Sequence, residues 1–223
     1  MKIILYGATG TVGQGVLRRC LMDPDVEQVL AVGRASTGRQ HPKLCERVRA
    51  DLMDYSGLDA ELTGYDACCY CLGVSSAGLD EARYTRITYD LALAAATTLV
   101  RLNPGMRFLF VSGAGARSGA QGGAMWQRVK GRTENALLRL PFRAVHVFRP
   151  GAIQPMHGIR ARTASYRLLY PLLWLPLTLL RLAAPALVTT TDALARAMLR
   201  VAQHGAEKPI LEGRDIHALS QGG

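Results

Sequence analysis

Short apolar runs alternate with amphipathic stretches over the first two thirds of the chain. Apolar runs rich in β-forming residues predict strands, and apolar residues at helical spacing predict helices. We predict strands at Lys2–Tyr6, Gln28–Val32, Arg47–Ala50, Asp66–Leu72, Arg107–Val111 and Ala144–Phe148. Helices are predicted at Val12–Leu21, Tyr55–Leu62, Glu81–Leu102 and Ala124–Leu140. The alternation predicts an α/β fold with a doubly wound parallel sheet, because such a sheet needs helices over both faces.

The pattern changes after Gly151. An uncharged apolar run covers Leu168–Leu180, and prolines at 171 and 176 interrupt it. The other segments predict a loop over residues 152–165, an amphipathic helix over Thr190–Gln203 capped by Thr191 or a neighbouring threonine, and a last strand over Lys208–Leu211. We therefore expect one domain over residues 1–223, in which residues 152–190 form a small lobe on the substrate side.

Glycines recur at every third position directly after the first predicted strand, in the order Gly7-Ala8-Thr9-Gly10-Thr11-Val12-Gly13. Gly7 permits a tight turn, Gly10 lets the backbone approach a pyrophosphate, and Gly13 lets the helix pack on the strand. The helix start adds free N–H groups and the positive end of its dipole. The pattern predicts a dinucleotide site of the Rossmann type, formed by Gly7, Thr9, Gly10, Thr11, Val12 and Gly13.

The end of the second predicted strand bears on which cofactor binds. A carboxylate about 20 residues beyond the glycine turn would bind the ribose hydroxyls of NAD. This chain instead has Arg34, followed by Ser36 and Arg39, and arginine suits a ribose 2′-phosphate. We therefore predict NADP(H) rather than NAD, with a solvated charge at the strand end as the alternative for Arg34.

Two further segments follow predicted strands at the same edge of the sheet. Asp51 and Leu52 are expected to border the adenine. Cys71, Leu72 and Gly73 are expected to lie under the adenosine ribose and the pyrophosphate. Cys68 and Cys69 stand in the apolar run before them and lack metal-ligand spacing, so they predict reduced, buried thiols and no metal site.

Composition and charge narrow the class of protein. With 49% hydrophobic and 20% charged residues, the 223-residue chain is typical of a globular protein rather than a disordered one. The net charge of the chain is +10, and its basic excess lies in residues 91–191, where Glu134 is the one acidic residue. The first residues lead directly into the glycine turn without a secretory pattern, so we expect a cytoplasmic protein.

The basic segment raises the question of partners. Its arginines are spread through predicted elements without a zinc-finger or helix-turn-helix pattern, which argues against nucleic acid and favours an anionic cofactor. Residues 167–181 are too short to span a membrane, since a spanning helix needs about 20 apolar residues. Three interpretations stay open for them: a lid over an apolar small-molecule substrate, contact within a homodimer, or peripheral insertion into an anionic membrane.

Taken together, these motifs resemble the atypical short-chain dehydrogenase/reductases, in a branch with the Tat-interacting oxidoreductase and the NmrA-like and YbjT-like proteins. The resemblance covers nearly the whole chain. It is carried by GATGTVG at 7–13, Arg34, Asp51-Leu52, CLG at 71–73, VKGRTE at 129–134, FRPG at 148–151 and PILEGRDIHAL at 209–219. The resemblance implies NADP(H) binding, with Pro150, Gly151, Ala152 and Ile153 near the nicotinamide.

The same resemblance implies a catalytic serine after the fifth strand and a tyrosine four residues before a lysine. Ser112 and Lys130 match the serine and the lysine, but Trp126 stands at the tyrosine position. An indole N–H can donate a hydrogen bond but cannot give up its proton near neutral pH. Trp126 is expected either to stack near the nicotinamide or only to pack its helix.

Two functions stay open after this mismatch. The first is an oxidoreductase or isomerase for a small apolar carbonyl compound, in which Tyr166, Tyr170 or His157 replaces the missing acid. The second is a regulatory or scaffold protein that binds NADP(H) with little turnover.

Overall fold

Seven parallel strands form the central sheet of the protein in the computed structural model, which describes residues 1–117, 119, 123–159, 176, 178, 180, 184 and 187–222. The strands of this sheet are β1 (Lys2–Tyr6), β2 (Gln28–Gly33), β3 (Leu44–Val48), β4 (Ala67–Tyr70), β5 (Arg107–Val111), β6 (Ala144–Arg149) and β9 (Ile210–Glu212). Their spatial order is β3-β2-β1-β4-β5-β6-β9. The order reverses between β1 and β4, and ligands of open α/β sheets bind in the crevice that such a reversal opens.

Helices cover both faces of this sheet. They are α1 (Thr11–Met22), α2 (Asp59–Leu62), α3 (Glu81–Thr85), α4 (Leu91–Leu102), α5 (Met125–Leu137), α6 (Thr191–His204) and α7 (Gly213–Gln221), and one π-helical turn (Arg86–Asp90) joins α3 to α4. Helices α1, α6 and α7 share one hydrophobic core, whereas α2, α4 and α5 share the other. The predicted doubly wound Rossmann-type fold is thus confirmed.

Alternating side chains of the strands divide between the two cores. Leu5 of β1 and Cys69 of β4 pack under α1 and α6, whereas Tyr6 and Cys68 pack under α4. All four side chains are buried because helices cover both faces, as in other parallel sheets. Cys68 and Cys69 are free and buried, as predicted, and burial raises the pKa of both thiols well above the ordinary value.

A second, two-stranded parallel sheet pairs β7 (Ala152–Gln154) with β8 (Val188–Thr190). It joins the two ends of the segment that we predicted as a small lobe. The prediction of a loop from residue 152 was wrong at its start, since a three-residue apolar run gives too little periodicity to mark a strand. Most of the apolar run 168–180, and Tyr166 and Tyr170 with it, lie outside the described residues.

Several predicted boundaries were also wrong. Strand β3 lies at Leu44–Val48 instead of Arg47–Ala50, because an edge strand is half-exposed and lacks a continuous apolar run. Helix α2 begins at Asp59 instead of Tyr55, after a turn in which Gly57 has a φ of 73°. The last helix, α7, was missed, whereas the threonine cap of α6 was foreseen: Thr190 accepts a 3.0 Å hydrogen bond from the N–H of Ala193.

Candidate active site

The glycine turn lies at the carboxyl edge of the sheet, where the strand order reverses. It follows β1, and the segment beginning at Cys71 follows the neighbouring strand β4. Gly7 has a φ of 76°, and a Cβ there would lie 2.7 Å from the carbonyl carbon of Cys71. Only glycine fits this point, because both the backbone conformation and the close approach exclude a side chain.

Gly13 and Gly10 shape the start of α1. A Cβ on Gly13 would lie 2.0 Å from the carbonyl oxygen of Gly7, so α1 touches the turn through bare backbone. A Cβ on Gly10 would lie 3.3 Å from the same oxygen. The turn is closed by a 2.9 Å hydrogen bond from the N–H of Gly10 to that oxygen. We call this turn, from Gly7 to Gly13, the glycine cradle. Its shape fits a pyrophosphate, which the N–H groups at the start of α1 can bind.

Arg34 stands directly after β2 and is exposed to solvent. The loop that follows it is held by Glu46 of β3, whose carboxylate accepts a 2.6 Å hydrogen bond from the Ser36 hydroxyl and a 2.7 Å bond from the N–H of Thr37. Burial raises the pKa of Glu46, but the two hydrogen bonds outweigh it, and the pKa lies below the ordinary value. The hydroxyl hydrogen of Ser36, which we grouped with Arg34, is therefore used in a hydrogen bond to Glu46.

The other residues predicted to contact the adenosine half of the cofactor lie along the carboxyl edge of the sheet. Leu52 is buried in the core of α2 and α4, and exposed Asp51 accepts a 2.8 Å hydrogen bond from the N–H of Met53. Cys71 is hydrogen-bonded to β1 through its N–H and the Tyr6 carbonyl at 3.0 Å, and Leu72 is half-buried. Gly73 is exposed and has open space around its Cα.

Ser112 follows β5 at the same edge and is buried. Its hydroxyl donates a short hydrogen bond to a carboxylate oxygen of Glu134 on α5. Arg149, the last residue of β6, donates to both oxygens of that carboxylate at 3.2 and 2.5 Å, and to Glu212 at 2.9 Å. Because Glu134 is fully buried, these bonds compensate for the lost hydration of its charge.

Lys130 lies one turn before Glu134 on α5. Its Nζ donates to the carbonyl oxygen of Val111 at 3.2 Å and lies 5.4 Å from the ring centroid of Phe110. Burial lowers the pKa of Lys130 to about 8, although the nearby Glu134 carboxylate acts in the opposite direction. The structure thus brings Lys130 to the end of the strand that Ser112 follows.

Trp126 lies one turn before Lys130, so the three residues Trp126, Lys130 and Glu134 share one face of α5. The six-membered ring of the indole lies beside the turn after Ser112, since a Cβ on Gly113 would be 3.6 Å from Cζ3 of Trp126. This contact accounts for Trp126 as a packing residue. It also keeps the indole at the end of β5, near which Ser112 and Lys130 lie.

The residues expected near the nicotinamide follow β6. Pro150 accepts a 2.9 Å hydrogen bond from the N–H of Ala114, which joins this segment to the turn after β5. A Cβ on Gly151 would lie 2.2 Å from the carbonyl oxygen of Leu187, so this glycine permits the approach of β8. Ala152 and Ile153 lie within β7.

His157 was one of the candidates for the missing acid. It is half-exposed, and its Nε2 lies 3.8 Å from Asp192 in the first turn of α6. Helix α6 covers the face of the sheet opposite α5, the helix of Lys130. The contact of His157 is thus with a helix that packs on the other face of the sheet from the helix of Lys130.

A surface cavity of about 640 Å³ lies elsewhere, lined by residues that include Tyr55, Thr98 and Arg101. None of the predicted cofactor residues lines it. Sequence reasoning assigned no role to Glu134 and Arg149, although both stand within the motifs VKGRTE and FRPG. The available signal was the isolation of Glu134 as the one acidic residue of a strongly basic segment.

Comparison with known proteins supports the fold. No protein-family model matches the chain. Protein fmp52-2, mitochondrial, of Aspergillus oryzae is 26% identical over 151 residues, which span 67% of this chain and 66% of that relative. The enzyme WbmF of Bordetella bronchiseptica, solved in complex with NAD+, superposes with a TM-score of 0.70 at 15% identity over 98% of this chain and 76% of that chain.

A third similar protein is the UDP-glucuronic acid 4-epimerase of Bacillus cereus, solved with UDP-glucuronic acid and NAD. Its TM-score is 0.66 at 13% identity, over 95% of this chain and 76% of that chain. At such identities, the two structural likenesses show the Rossmann fold alone. Among the described residues, no helix is long and apolar enough to cross a membrane.

Proposed function

We propose that this protein is an oxidoreductase of the short-chain dehydrogenase type that binds NADP(H) and acts on a small apolar carbonyl compound or the corresponding alcohol. One observation carries the proposal: the glycine cradle before α1 lies at the same sheet edge as Ser112 and Lys130. A dinucleotide that starts at the cradle and crosses the reversal between β1 and β4 extends toward these two residues.

The choice of cofactor has two separate supports. The NAD complexes of the structurally similar WbmF and UDP-glucuronic acid 4-epimerase support a nicotinamide dinucleotide in general. Preference for NADP(H) rests on Arg34, which is exposed directly after β2, where a 2′-phosphate would lie. Glu46 supports this role by holding the loop after Arg34 through Ser36 and Thr37.

Bound NADPH would supply a hydride to the substrate carbonyl. In this proposal, the turn from Gly7 to Gly13 binds the pyrophosphate, and Lys130 binds the nicotinamide ribose through its ammonium group. Pro150 and Gly151 line the nicotinamide side, where β6 ends. Glu134 holds the Ser112 hydroxyl in one direction, so Ser112 orients the substrate as a hydrogen-bond acceptor, toward the hydroxyl of the alcohol form.

The apolar character of the substrate is supported by the composition of residues 168–180, most of which lie outside the described part of the chain. This apolar run contains no charged residue and lies within the segment whose ends β7 and β8 hold together. The same composition suits contact with a second subunit or with a membrane. A cytoplasmic location remains an expectation from the sequence.

A second candidate function is a regulatory module that binds NADP(H) without consuming it. Trp126 favours this candidate, because an indole cannot act as a general acid at the position where it stands. The two candidates differ in the fate of the bound cofactor.

Calorimetry with NADPH and NADH, followed by absorbance assays of NADPH consumption, tests the proposal. We expect tighter binding of NADPH than of NADH, and oxidation of NADPH by at least one member of a panel of methyl ketones and quinones. Tight binding without consumption would support the regulatory module instead. Absence of binding to both dinucleotides would refute both candidates.

A further inference from the structure

Reduction of a carbonyl requires a group that gives a proton to its oxygen. Among the described residues, three side chains that carry a polar hydrogen lie around the end of β5: Ser112, Trp126 and Lys130. They differ in whether that hydrogen is free and whether it can be released as a proton.

Ser112 has a single hydroxyl hydrogen, and this hydrogen is used. The hydroxyl donates it to a carboxylate oxygen of Glu134, which is held in place by two further hydrogen bonds from Arg149. The hydroxyl then offers only its lone pairs to a substrate. It can accept a hydrogen bond but cannot donate one to a carbonyl oxygen while this contact persists.

Trp126 also fails as a proton donor. Its indole N–H can form a hydrogen bond but does not release its proton near neutral pH. The six-membered ring is held against the turn after Ser112, where a Cβ added to Gly113 or Gly115 would lie 3.6 or 3.9 Å from it. Trp126 therefore shapes the wall of the site without taking part in proton transfer.

Lys130 is the remaining group of the three. Its ammonium has three hydrogens, and one of them is donated to the carbonyl oxygen of Val111. The side chain is only partly buried, so part of its surface stays accessible at the sheet edge. Burial lowers the pKa of Lys130 to about 8, so its ammonium can exchange a proton near neutral pH.

The charged and aromatic groups around Lys130 leave its ammonium able to donate a further hydrogen bond. Glu134 follows it by one turn on α5, Phe110 faces it from β5, and Arg149 of β6 faces the same carboxylate. On the far side of α5, Arg128 pairs with Glu81 of α3 at 2.8 Å. The Glu134 charge is shared with Arg149 and Ser112, which leaves the ammonium of Lys130 without an exclusive partner.

We propose that Lys130 is the catalytic proton donor of this site, in addition to holding the cofactor. Lys130 gives a proton to the carbonyl oxygen while the carbonyl carbon accepts the hydride of NADPH. The carbonyl becomes an alcohol, NADPH becomes NADP+, and the neutral amine regains a proton from water. This inference rests on the proposed function, because the step needs bound NADPH and a carbonyl substrate.

The first test is a magnetic resonance titration of the lysine side chains. The chain has four lysines, Lys2, Lys43, Lys130 and Lys208, so isotope-labelled lysine gives few signals, and Lys130→Arg identifies the signal of interest. We expect the Lys130 signal to titrate near pH 8, well below the ordinary lysine value of 10.5. An ordinary lysine titration for Lys130 would overturn the proposal without any assay of activity.

The second test measures NADPH oxidation by a medium-chain methyl ketone and by phenanthrenequinone. We expect the rate to fall as the pH rises through about 8, because the ammonium form is lost. Lys130→Arg keeps the positive charge but does not release its proton, so it should bind NADPH and lose about 10²–10⁴-fold in rate. Lys43→Arg, which changes a lysine bonded to Asp23 away from the site, is the matched control and should keep the rate.

The outcomes separate this inference from the function on which it rests. Absence of NADPH binding, or binding without turnover of either compound, overturns the proposed function and this inference with it. Turnover that is equal in Lys130→Arg, or that does not change with pH around the titration of Lys130, overturns the inference alone. Loss of turnover in Tyr166→Phe or Tyr170→Phe, with Lys130→Arg active, would assign the proton to a tyrosine instead.

Discussion

The buried carboxylate of Glu134 accepts the hydroxyl hydrogen of Ser112, a residue that lies 22 positions earlier in the chain. The contact crosses from α5 to the end of β5, and Arg149 completes it from β6. It determines the direction in which the Ser112 hydroxyl points. Consequently, Ser112 acts as a hydrogen-bond acceptor toward anything bound at this edge.

Removing the Glu134 charge should destabilise the fold. Breaking a buried ion pair from one side costs about 3–5 kcal/mol, and Glu134→Gln should lie near the lower value because Arg149 keeps its bond to Glu212. Urea denaturation measures the change in the free energy of unfolding. Glu212→Gln removes the exposed partner of the same arginine and should cost less than about 1 kcal/mol. Equal effects of the two substitutions would contradict this account.

Gly13→Ala should disrupt the start of α1. The added Cβ would lie 2.0 Å from the carbonyl oxygen of Gly7, so the helix must move away from the turn. We expect the free energy of unfolding to fall by about 1–3 kcal/mol, which is typical of overpacking, and NADPH binding to be lost. Gly105→Ala is the control, since no atom lies within 4 Å of the added Cβ. Thermal denaturation and calorimetry compare the two variants.

Arg34→Ala should weaken binding of NADPH but not of NADH. A hydrogen bond to a charged group contributes about 1.5–3 kcal/mol, which corresponds to roughly 10- to 150-fold in Kd. Calorimetry with both dinucleotides measures the ratio. Arg214→Ala, which removes an exposed arginine from α7, controls for the change in net charge. Equal weakening of both dinucleotides would show that Arg34 does not contact a 2′-phosphate.

Lys130 should lower the free energy of unfolding at neutral pH, and this destabilisation should disappear in alkaline solution. Its pKa falls from 10.5 to about 8 on folding, so the unfolded chain binds more protons between these values, and stability rises with pH across this window. Lys130→Met should therefore be more stable than the wild type at neutral pH, by about 1–3 kcal/mol after allowance for solvent screening. The gain should shrink as the pH approaches 10.5.

Urea denaturation over a series of pH values checks this prediction, with Lys2→Met as an exposed control. The control should show no comparable change with pH. A constant difference between Lys130→Met and the wild type would mean that the ammonium is not desolvated in the folded protein.

Trp126→Tyr places a phenol four residues before Lys130, on the same face of α5. We expect faster reduction of a methyl ketone, by no more than about 10²-fold, because Lys130 already supplies the proton. The dependence of the rate on the titration of Lys130 should weaken in this variant. Trp126→Phe keeps an aromatic ring but adds no acid, so it is the matched control. No gain over Trp126→Phe would show that residue 126 does not face the substrate.

The sequence by itself determined the features that depend on local spacing. Alternating apolar runs predicted the doubly wound sheet, and three glycines after β1 predicted a cradle that excludes side chains. The threonine cap of α6 was also predicted from local sequence, because a helix cap needs only a side-chain oxygen near the first turn. Edge strand β3 was misplaced because its residues are half-exposed and follow no continuous apolar pattern.

Only the tertiary structure decided which distant residues meet at the carboxyl edge of the sheet. The order of β5, β6 and β9 brings Ser112, Arg149 and Glu212 beside one another, and α5 adds Glu134 to them. Spacing along the chain cannot reveal these contacts, because they depend on which strands pair and on the face that each helix covers. The sequence marked Glu134 as the lone acid of a basic segment, but its burial and its partners follow from the packing of three separate elements.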